Sequence, residues 1–314
     1  MTSPKISFIA HKNCSDGTAC AIIALSKYPT ASLTFCNYGK DVDVLNLNQY
    51  QDNIVYIMDF TLPADKLKQL IAIAAKVIVI DHHITAQKDL EQVDDPKLTK
   101  IFDMGKAGCI LTWNYFYPSE FIPWYFAYIG DRDIWAYKLE SSKQINEGMF
   151  NMGYTSFDKM KELHNSTPED KQKIYEMCKL IGTELHNSKM QQLKFACKKA
   201  ILCDLLDEKQ EPIAKVWAIS NHNPNILNEL GEHLYNDKRA QISLLYRYDL
   251  ETNELWCSLR SHKTVDCSIV AAKLGGGGHK NSSGITLKLS NKPITDYIRF
   301  DRTNPTYFDT QQPI

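Results

Sequence analysis

Three short apolar runs, each closing on a histidine or an aspartate, set the strongest limit on what this 314-residue chain can fold into. Lys5-Ile-Ser-Phe-Ile-Ala10 leads into His11, Asn53-Ile-Val-Tyr-Ile-Met58 into Asp59, and Val77-Ile-Val-Ile80 into Asp81-His82-His83. Their apolar character is continuous, as in strands buried on both faces. Helix-like segments from about Asp16 to Ser26 and from Pro63 to Ala75 lie between them. Strands alternating with helices predict an α/β fold, a mostly parallel sheet flanked by helices, in which ligands gather at the carboxyl ends of the strands.

Further helices are expected at Gly108–Phe116 and Phe121–Ile129. One long helix is expected from Thr167 to about Lys199, with Thr167 as N-cap, Pro168 at the first helical position and acidic residues in the first turn. Beyond it the texture changes to strands at Ile213–Ile219, Gln241–Arg247 and Glu254–Arg260, the last two flanking a turn at Leu250–Asn253. The long helix therefore joins the first domain to a smaller α+β domain. The expected boundaries are 1–165 for the first domain, 166–205 for a helical linker, 206–298 for the second domain and 299–314 for a polar tail.

The chain is 44% apolar and 23% charged, ordinary for a soluble protein with a sizeable core. Its apolar stretches are far shorter than the ~20 residues of a transmembrane helix, and the first residues show no basic region leading into an apolar one. Nine cysteines without a CxxC spacing read as free thiols of a reducing compartment, so a cytoplasmic location is expected. A net charge of −1 supplies no field for a long polyanion, which argues against duplex DNA as a partner. Short single-stranded nucleic acid or a small nucleotide remains compatible, as does a homo-oligomer.

A carboxylate at the end of a buried strand costs several kcal/mol to desolvate unless a cation or a hydrogen-bond donor meets it. Singly, Asp59 reads as a turn or cap residue, and Asp81 as a cap for a helix near Thr85. Jointly, with His11 and Asp16 at the first strand end, they read as ligands for a pair of divalent ions, since imidazole and carboxylate together suit manganese-class ions. Asp59 is the candidate bridging ligand. Successive side chains point to opposite sides, so one of His82 and His83 coordinates while the other faces substrate. Gly130-Asp131-Arg132-Asp133 offers either a surface salt bridge or a further ligand, of which such a site is still short.

Late in the chain, Gly275 to Gly278 and His279 follow a helical run from about Ser268 to Leu274 and precede a strand at Gly284–Lys288. The glycines read as a linker or, better, as a loop whose backbone N–H groups converge on an anion, with His279 and Arg260 as further donors. Tyr38, Trp113 and Tyr115 are available to stack bases or to fill the core.

Over about residues 5 to 290 these motifs resemble the DHH phosphoesterases with their associated C-terminal domain, a family of short-oligonucleotide exonucleases, nucleotide phosphatases and, more distantly, manganese pyrophosphatases. The resemblance implies that His11, Asp16, Asp59, His82 and Asp131 hold two divalent ions, Mn2+ with Mg2+ or Co2+ as alternatives. It makes Asp81 the residue that orients a neighbour, and His83 the one that faces the scissile phosphate. Arg260, Gly276, Gly277, Gly278 and His279 would bind substrate. The first motif departs from the pattern, since His11 to Gly17 carries one aspartate where relatives carry two. Cys14 or Thr18 stands in the missing place, depending on the end from which the spacing is counted. The expected activity is attack of metal-activated water on a short oligonucleotide or small nucleotide phosphate. The rivals are a pyrophosphatase or exopolyphosphatase, and a catalytically weakened nucleotide-binding protein.

Overall fold

Strands β1 (Ile6–His11), β2 (Ser32–Cys36), β3 (Ile54–Met58), β4 (Lys76–Asp81) and β5 (Leu98–Phe102) form a parallel sheet in the order β2-β1-β3-β4-β5 in the computed structural model. Residues 4–220, 223, 226–237, 239–289 and 293–300 are described by it, so most of the expected tail lies outside the described residues. The two-residue repeat of the strands divides their apolar side chains between two cores. Phe8, Ala10, Tyr56, Met58, Ile78 and Ile80 enter one, and Ile9, Val55, Ile57, Val77 and Val79 the other. Both faces of the sheet are thereby covered, at a gain of about 1.5–3 kcal/mol for each large side chain buried.

Helices α1 (Ser15–Lys27), α2 (Lys40–Val44), α3 (Ala64–Ile73), α4 (Ile84–Glu91), α5 (Gly108–Phe116) and α6 (Trp124–Asp133) follow or interleave the strands. The apolar residues of α1, α5 and α6 belong to the first core and those of α3 to the second. Helix α6 begins later than expected because Pro123 stands just before its first residue, and it runs on to Asp133. Helices α7 (Ser142–Asn151) and α8 (Phe157–Asn165) complete the first of two compact units, Met1–His186 and Asn187–Ile314.

The long helix, α9 (Pro168–Cys197), stands where it is expected. The Thr167 hydroxyl accepts from the Asp170 amide at 3.1 Å and donates to the Asp170 carboxylate at 2.9 Å, a closed capping pair.

In the second unit β6 (Ile201–Leu206), β7 (Pro212–Ser220), α10 (Leu227–Tyr235), β8 (Ile242–Asp249), β9 (Glu254–Ser261), α11 (Cys267–Ala272), β10 (Gly277–His279), β11 (Ser282–Lys288) and β12 (Ile298–Phe300) succeed one another. They build a sheet of order β10-β11-β9-β8-β7-β6-β12, antiparallel except for β7 with β8. Among the described residues no helix is long and apolar enough to cross a membrane.

The strand order of the first sheet decides where a ligand can sit. From β1 the chain steps outward to β2, then returns past β1 to β3, so the direction of winding reverses between β1 and β3. A crevice forms beyond the carboxyl ends of strands at such a reversal. Ala10 pairs with Met58, and Met58 with Ile80, so His11, Asp59 and Asp81 leave the sheet at one level.

Candidate metal centre

Asp59 stands at the reversal, 1% exposed, with φ 61°. A left-handed backbone outside glycine costs about 1–3 kcal/mol and persists where the surroundings hold it. Here the Asp59 amide donates to the carbonyl of Ile80 at 2.9 Å. The turned side chain sets Oδ1 3.3 Å from His82 Nε2 and Oδ2 3.4 Å from His11 Nδ1. His82 Nε2 is also 3.3 Å from Asp133 Oδ2 and 3.8 Å from Asp16 Oδ2. Strand ends β1, β3 and β4, the start of α1 and the end of α6 thus deliver five ligating side chains to one place.

His11 is prepared for coordination by its neighbour. Asn37 Oδ1 accepts from the Tyr38 amide at 3.0 Å, which identifies it as the oxygen, and it lies 3.2 Å from His11 Nε2. Nε2 must then be the donor, which leaves Nδ1 with its lone pair in the neutral ring. Nδ1 and Asp59 Oδ2 face each other, both buried and neither with a hydrogen-bond partner among the described residues.

Asp16 is fully buried, and its oxygens accept from the amides of Gly108 at 2.7 Å and Cys109 at 2.9 Å, at the start of α5. Unpaired amides at a helix start favour a carboxylate. They do not suffice, because burial and then the nearby Asp59 and Asp133 push Asp16 well above the usual carboxylate range. Asp133 is raised by burial and by Asp59. Burial would also raise Asp59, but the His11 and His82 imidazoles prevail and hold it well below the usual range. Two buried carboxylates and a partly buried third, sharing two imidazoles, call for further positive charge.

A divalent cation would supply it, and the donors fit one. His11, Cys14 and Asp59; Asp59, His82 and His83; and Asp16, His82 and Asp133 each offer atoms within 4.8 Å of one another. Asp59 links the first set to the second, and His82 the second to the third. The Cys14 thiol belongs to the first set, although burial and then Asp59 push it up to about 12.

Asp81 stays behind the cluster. Its Oδ1 accepts from the amides of His82 at 2.7 Å and His83 at 3.2 Å, and from His83 Nδ1 at 2.8 Å. The carboxylate raises the His83 pKa above its ordinary value, and His83 is 36% exposed. With Nδ1 engaged, Nε2 is the ring nitrogen left for a substrate.

Asp131, expected as a ligand, does not stand in the cluster; Asp133 does. Asp131 Oδ1 accepts from the Lys138 amide at 2.8 Å and Oδ2 from the Leu139 amide at 3.1 Å, so both oxygens are committed to the following loop. The signal was present in the sequence: Phe126, Ile129, Gly130 and position 133 share one helical stripe, and position 131 lies off it. Of the aromatics expected to stack bases, Trp113 is in the core at 5% exposed, whereas Tyr38 is 43% exposed and edge-on to His11 at 5.7 Å. Tyr115, 37% exposed, packs edge-on against Tyr56 and Phe116.

In the second unit the glycines form less of a loop than expected. Gly277–His279 is strand β10, and the amides of Gly275 and Gly276 donate to the carbonyls of Ala272 and Ala271, closing the end of α11. Two of the four amides are therefore already committed within the chain. Gly276 is required for packing, since a Cβ there would lie 2.2 Å from the Gly284 carbonyl oxygen. His279 pairs with Ser282 and Ser282 with Arg260, so the two cationic candidates stand in one row across β10, β11 and β9. Arg260 Nε donates to Asn228 Oδ1 at 3.1 Å, and Nη1 to the Leu259 carbonyl at 2.9 Å.

No family model matches the chain. It is 28% identical over 296 residues to the uncharacterized protein R106 of Acanthamoeba polyphaga mimivirus, which covers 88% of this chain and 66% of that protein. It is 25% identical over 327 aligned residues to the oligoribonuclease NrnB of Bacillus subtilis, covering 93% of this chain and 76% of the relative. Its fold is similar to that of the pGpG-specific phosphodiesterase PggH of Vibrio cholerae, with a TM-score of 0.52 at 11% identity, over 92% of this chain and 94% of that one. Asp81, His82 and His83 are successive residues with three different surroundings: Asp81 holds the His83 ring, His82 joins the cluster and His83 is partly exposed.

Proposed function

We propose that this chain is a metal-dependent phosphoesterase that hydrolyses short single-stranded oligonucleotides or small nucleotide phosphates. The observation that carries the reading is the facing pair His11 Nδ1 and Asp59 Oδ2, buried and without hydrogen-bond partners inside a cluster of three carboxylates and two imidazoles. His11, Asp16, Asp59, His82 and Asp133 hold two divalent ions in this reading, with Asp59 shared; Mn2+ suits the mixed nitrogen and oxygen donors, and Mg2+ and Co2+ are alternatives. Such ions lower the pKa of bound water toward ~7 and neutralise charge on phosphoryl oxygens.

The remaining chemistry belongs to the protein. Asp81 fixes the ring of His83 through Nδ1 and keeps it protonated at higher pH than a free imidazole. Nε2 can then donate to an oxygen of the substrate phosphate as negative charge builds there. Arg260 and His279 are proposed to bind the substrate's phosphates from the second domain, and residues 1–165, 166–205, 206–298 and 299–314 are retained as functional divisions. The name of the Bacillus relative, an oligoribonuclease, and the net charge of −1 support a short substrate. A cytoplasmic location rests on the cysteine pattern.

The test is a hydrolysis panel on chelator-treated protein resupplied with Mn2+, Mg2+ or Co2+. Its substrates are a 5′-phosphorylated dinucleotide, a 3′,5′-bisphosphate nucleotide and pyrophosphate. The dinucleotide should be cleaved to mononucleotides, and Asp59→Asn and His82→Ala should each lower the rate at least 100-fold. Turnover of pyrophosphate alone would assign the site to phosphoanhydrides. Nucleotide binding without turnover, with less than one ion per chain, would make the protein a binding module.

A further inference from the structure

Immediately after Asp133 the chain enters a loop with an unusual backbone. Trp135, Tyr137 and Ser141 all have positive φ, at 55°, 46° and 55°, three of the eight such residues other than glycine in the described chain. Bulky aromatic residues rarely adopt this conformation, and it persists only where other contacts impose it. The contacts here are explicit. The Asp131 carbonyl accepts from the amides of Ala136 and Tyr137, and its carboxylate from those of Lys138 and Leu139. The Trp135 amide donates to the Arg132 carbonyl at 2.9 Å, the Tyr128 hydroxyl donates to the Glu140 carbonyl at 2.8 Å, and Lys143 Nζ lies 5.1 Å from the centre of the Tyr137 ring.

Trp135 is 66% exposed, and the Tyr137 ring stands edge-on to it at 6.0 Å. Apolar area is left in water on a backbone whose conformation costs strain. An ordinary exposed aromatic needs no such frame. The position of the ring supplies the reason. Trp135 follows Asp133 by two residues, so their Cα atoms are at most about 7.6 Å apart. Asp133 Oδ2 is itself 3.3 Å from His82 Nε2 in the centre of the cluster. A flat, exposed indole on a braced backbone, two residues from an aspartate of the cluster, suits the group that hangs from a phosphodiester, a nucleobase.

We infer that Trp135 is a stacking platform for a nucleobase of the substrate and that Asp131 is the positioning residue that holds it there. The inference rests on the phosphoesterase reading and deepens it, because a base platform has no use in a site for pyrophosphate. It also gives Asp131 a function in place of the ligand role expected from the sequence. Stacking is tolerant of base identity, since every base has a π-face, so the preference is for a nucleobase of any kind.

The experiment compares wild type, Trp135→Phe, Trp135→Ala and Asp131→Ala on a 5′-phosphorylated dinucleotide and on its abasic counterpart, in Mn2+. Loss of one base–aromatic stack corresponds to roughly a 5- to 100-fold rise in KM. Trp135→Ala should raise KM for the dinucleotide by that factor, with kcat within twofold, and leave the abasic substrate unchanged. Trp135→Phe should recover most of the loss, and Asp131→Ala should mimic Trp135→Ala. A second readout is independent of turnover: a phosphorothioate dinucleotide should quench the tryptophan fluorescence of wild type more than that of Trp135→Phe. Equal loss on both substrates would make the loop a support for Asp133 and overturn the inference, as would an unchanged KM. Base-dependent quenching in a protein inert to every phosphodiester would instead remove the hydrolytic reading and leave the platform standing.

Discussion

Gly108→Ala tests the site through its packing and leaves every candidate ligand in place. Gly108 is the first residue of α5, where alanine would ordinarily strengthen a helix by up to about 1 kcal/mol. Here a Cβ would stand 2.9 Å from Asp16 Oδ2, 2.9 Å from Asp59 Cβ and 3.0 Å from Asp59 Oδ1. Comfortable contact begins near 3.5 Å, so the two carboxylates must retreat by about 0.5 Å. Neither yields easily: Asp16 Oδ2 is bound to the Gly108 amide itself, and Asp59 sits on a left-handed backbone. Overpacking of this kind costs about 1–3 kcal/mol, which for a unit of this size lowers Tm by about 2–4 °C per kcal/mol. A shift of 0.5 Å is also the limit of what a constellation of ligands tolerates, and a loss of 10- to 100-fold in ion affinity is expected.

Linkage turns that loss into a measurable difference. At an ion concentration 100 times the wild-type Kd, binding stabilises the native state by about 2.7 kcal/mol; a 100-fold weaker site gains only about 0.4 kcal/mol. Calorimetric unfolding of chelator-treated protein with and without Mn2+ should therefore show a lower metal-free Tm in Gly108→Ala and a much smaller upward shift on adding the ion. If both values match wild type, the crowded arrangement of Asp16, Asp59 and Gly108 is wrong.

Asp81→Asn should lower the His83 pKa, because the carboxylate at 2.8 Å is the main cause of its elevation. The contribution of this pair to metal-free stability is complete below the unfolded pKa of about 6.5 and is lost as pH rises through the elevated folded value. NMR titration of the His83 ring in both proteins checks the shift, and an unmoved midpoint would contradict the assignment. With its thiol pushed up to about 12, Cys14 holds only about 0.01% thiolate at pH 8. Metal-free protein should thus alkylate at Cys14 far more slowly than a free cysteine, by peptide mapping with iodoacetamide, and rapid labelling would count against its burial beside Asp59. Asn37→Leu removes the acceptor that fixes the His11 tautomer and should weaken Mn2+ binding by roughly 10-fold, read by calorimetric titration; unchanged affinity would remove His11 from the ligand set.

Much of the frame was legible because it depends on short-range pattern. Continuous apolar runs of five residues alternating with amphipathic helices admit a parallel sheet covered on both faces and little else, and Thr167-Pro168 marks the start of the long helix by local chemistry alone. The ligating types at the strand ends followed from the same runs. Strands β2 and β5 were missed because their residues are only partly buried and their apolar pattern is correspondingly weak.

What tertiary structure decided lies in the relation of residues distant in sequence. The strand order places the reversal between His11 and Asp59; sequence gives strands but no order. The left-handed turn at Asp59, the capture of Asp16 by amides 92 and 93 residues away, and the choice of Asp133 over Asp131 arise only when α1, α5 and α6 pack against one core. A sequence names which side chains can bind an ion, because that is a property of residue type. Which of them meet is settled by register and packing, where a rotation of two residues along α6 carries one aspartate to the cluster and commits the other to bracing a loop.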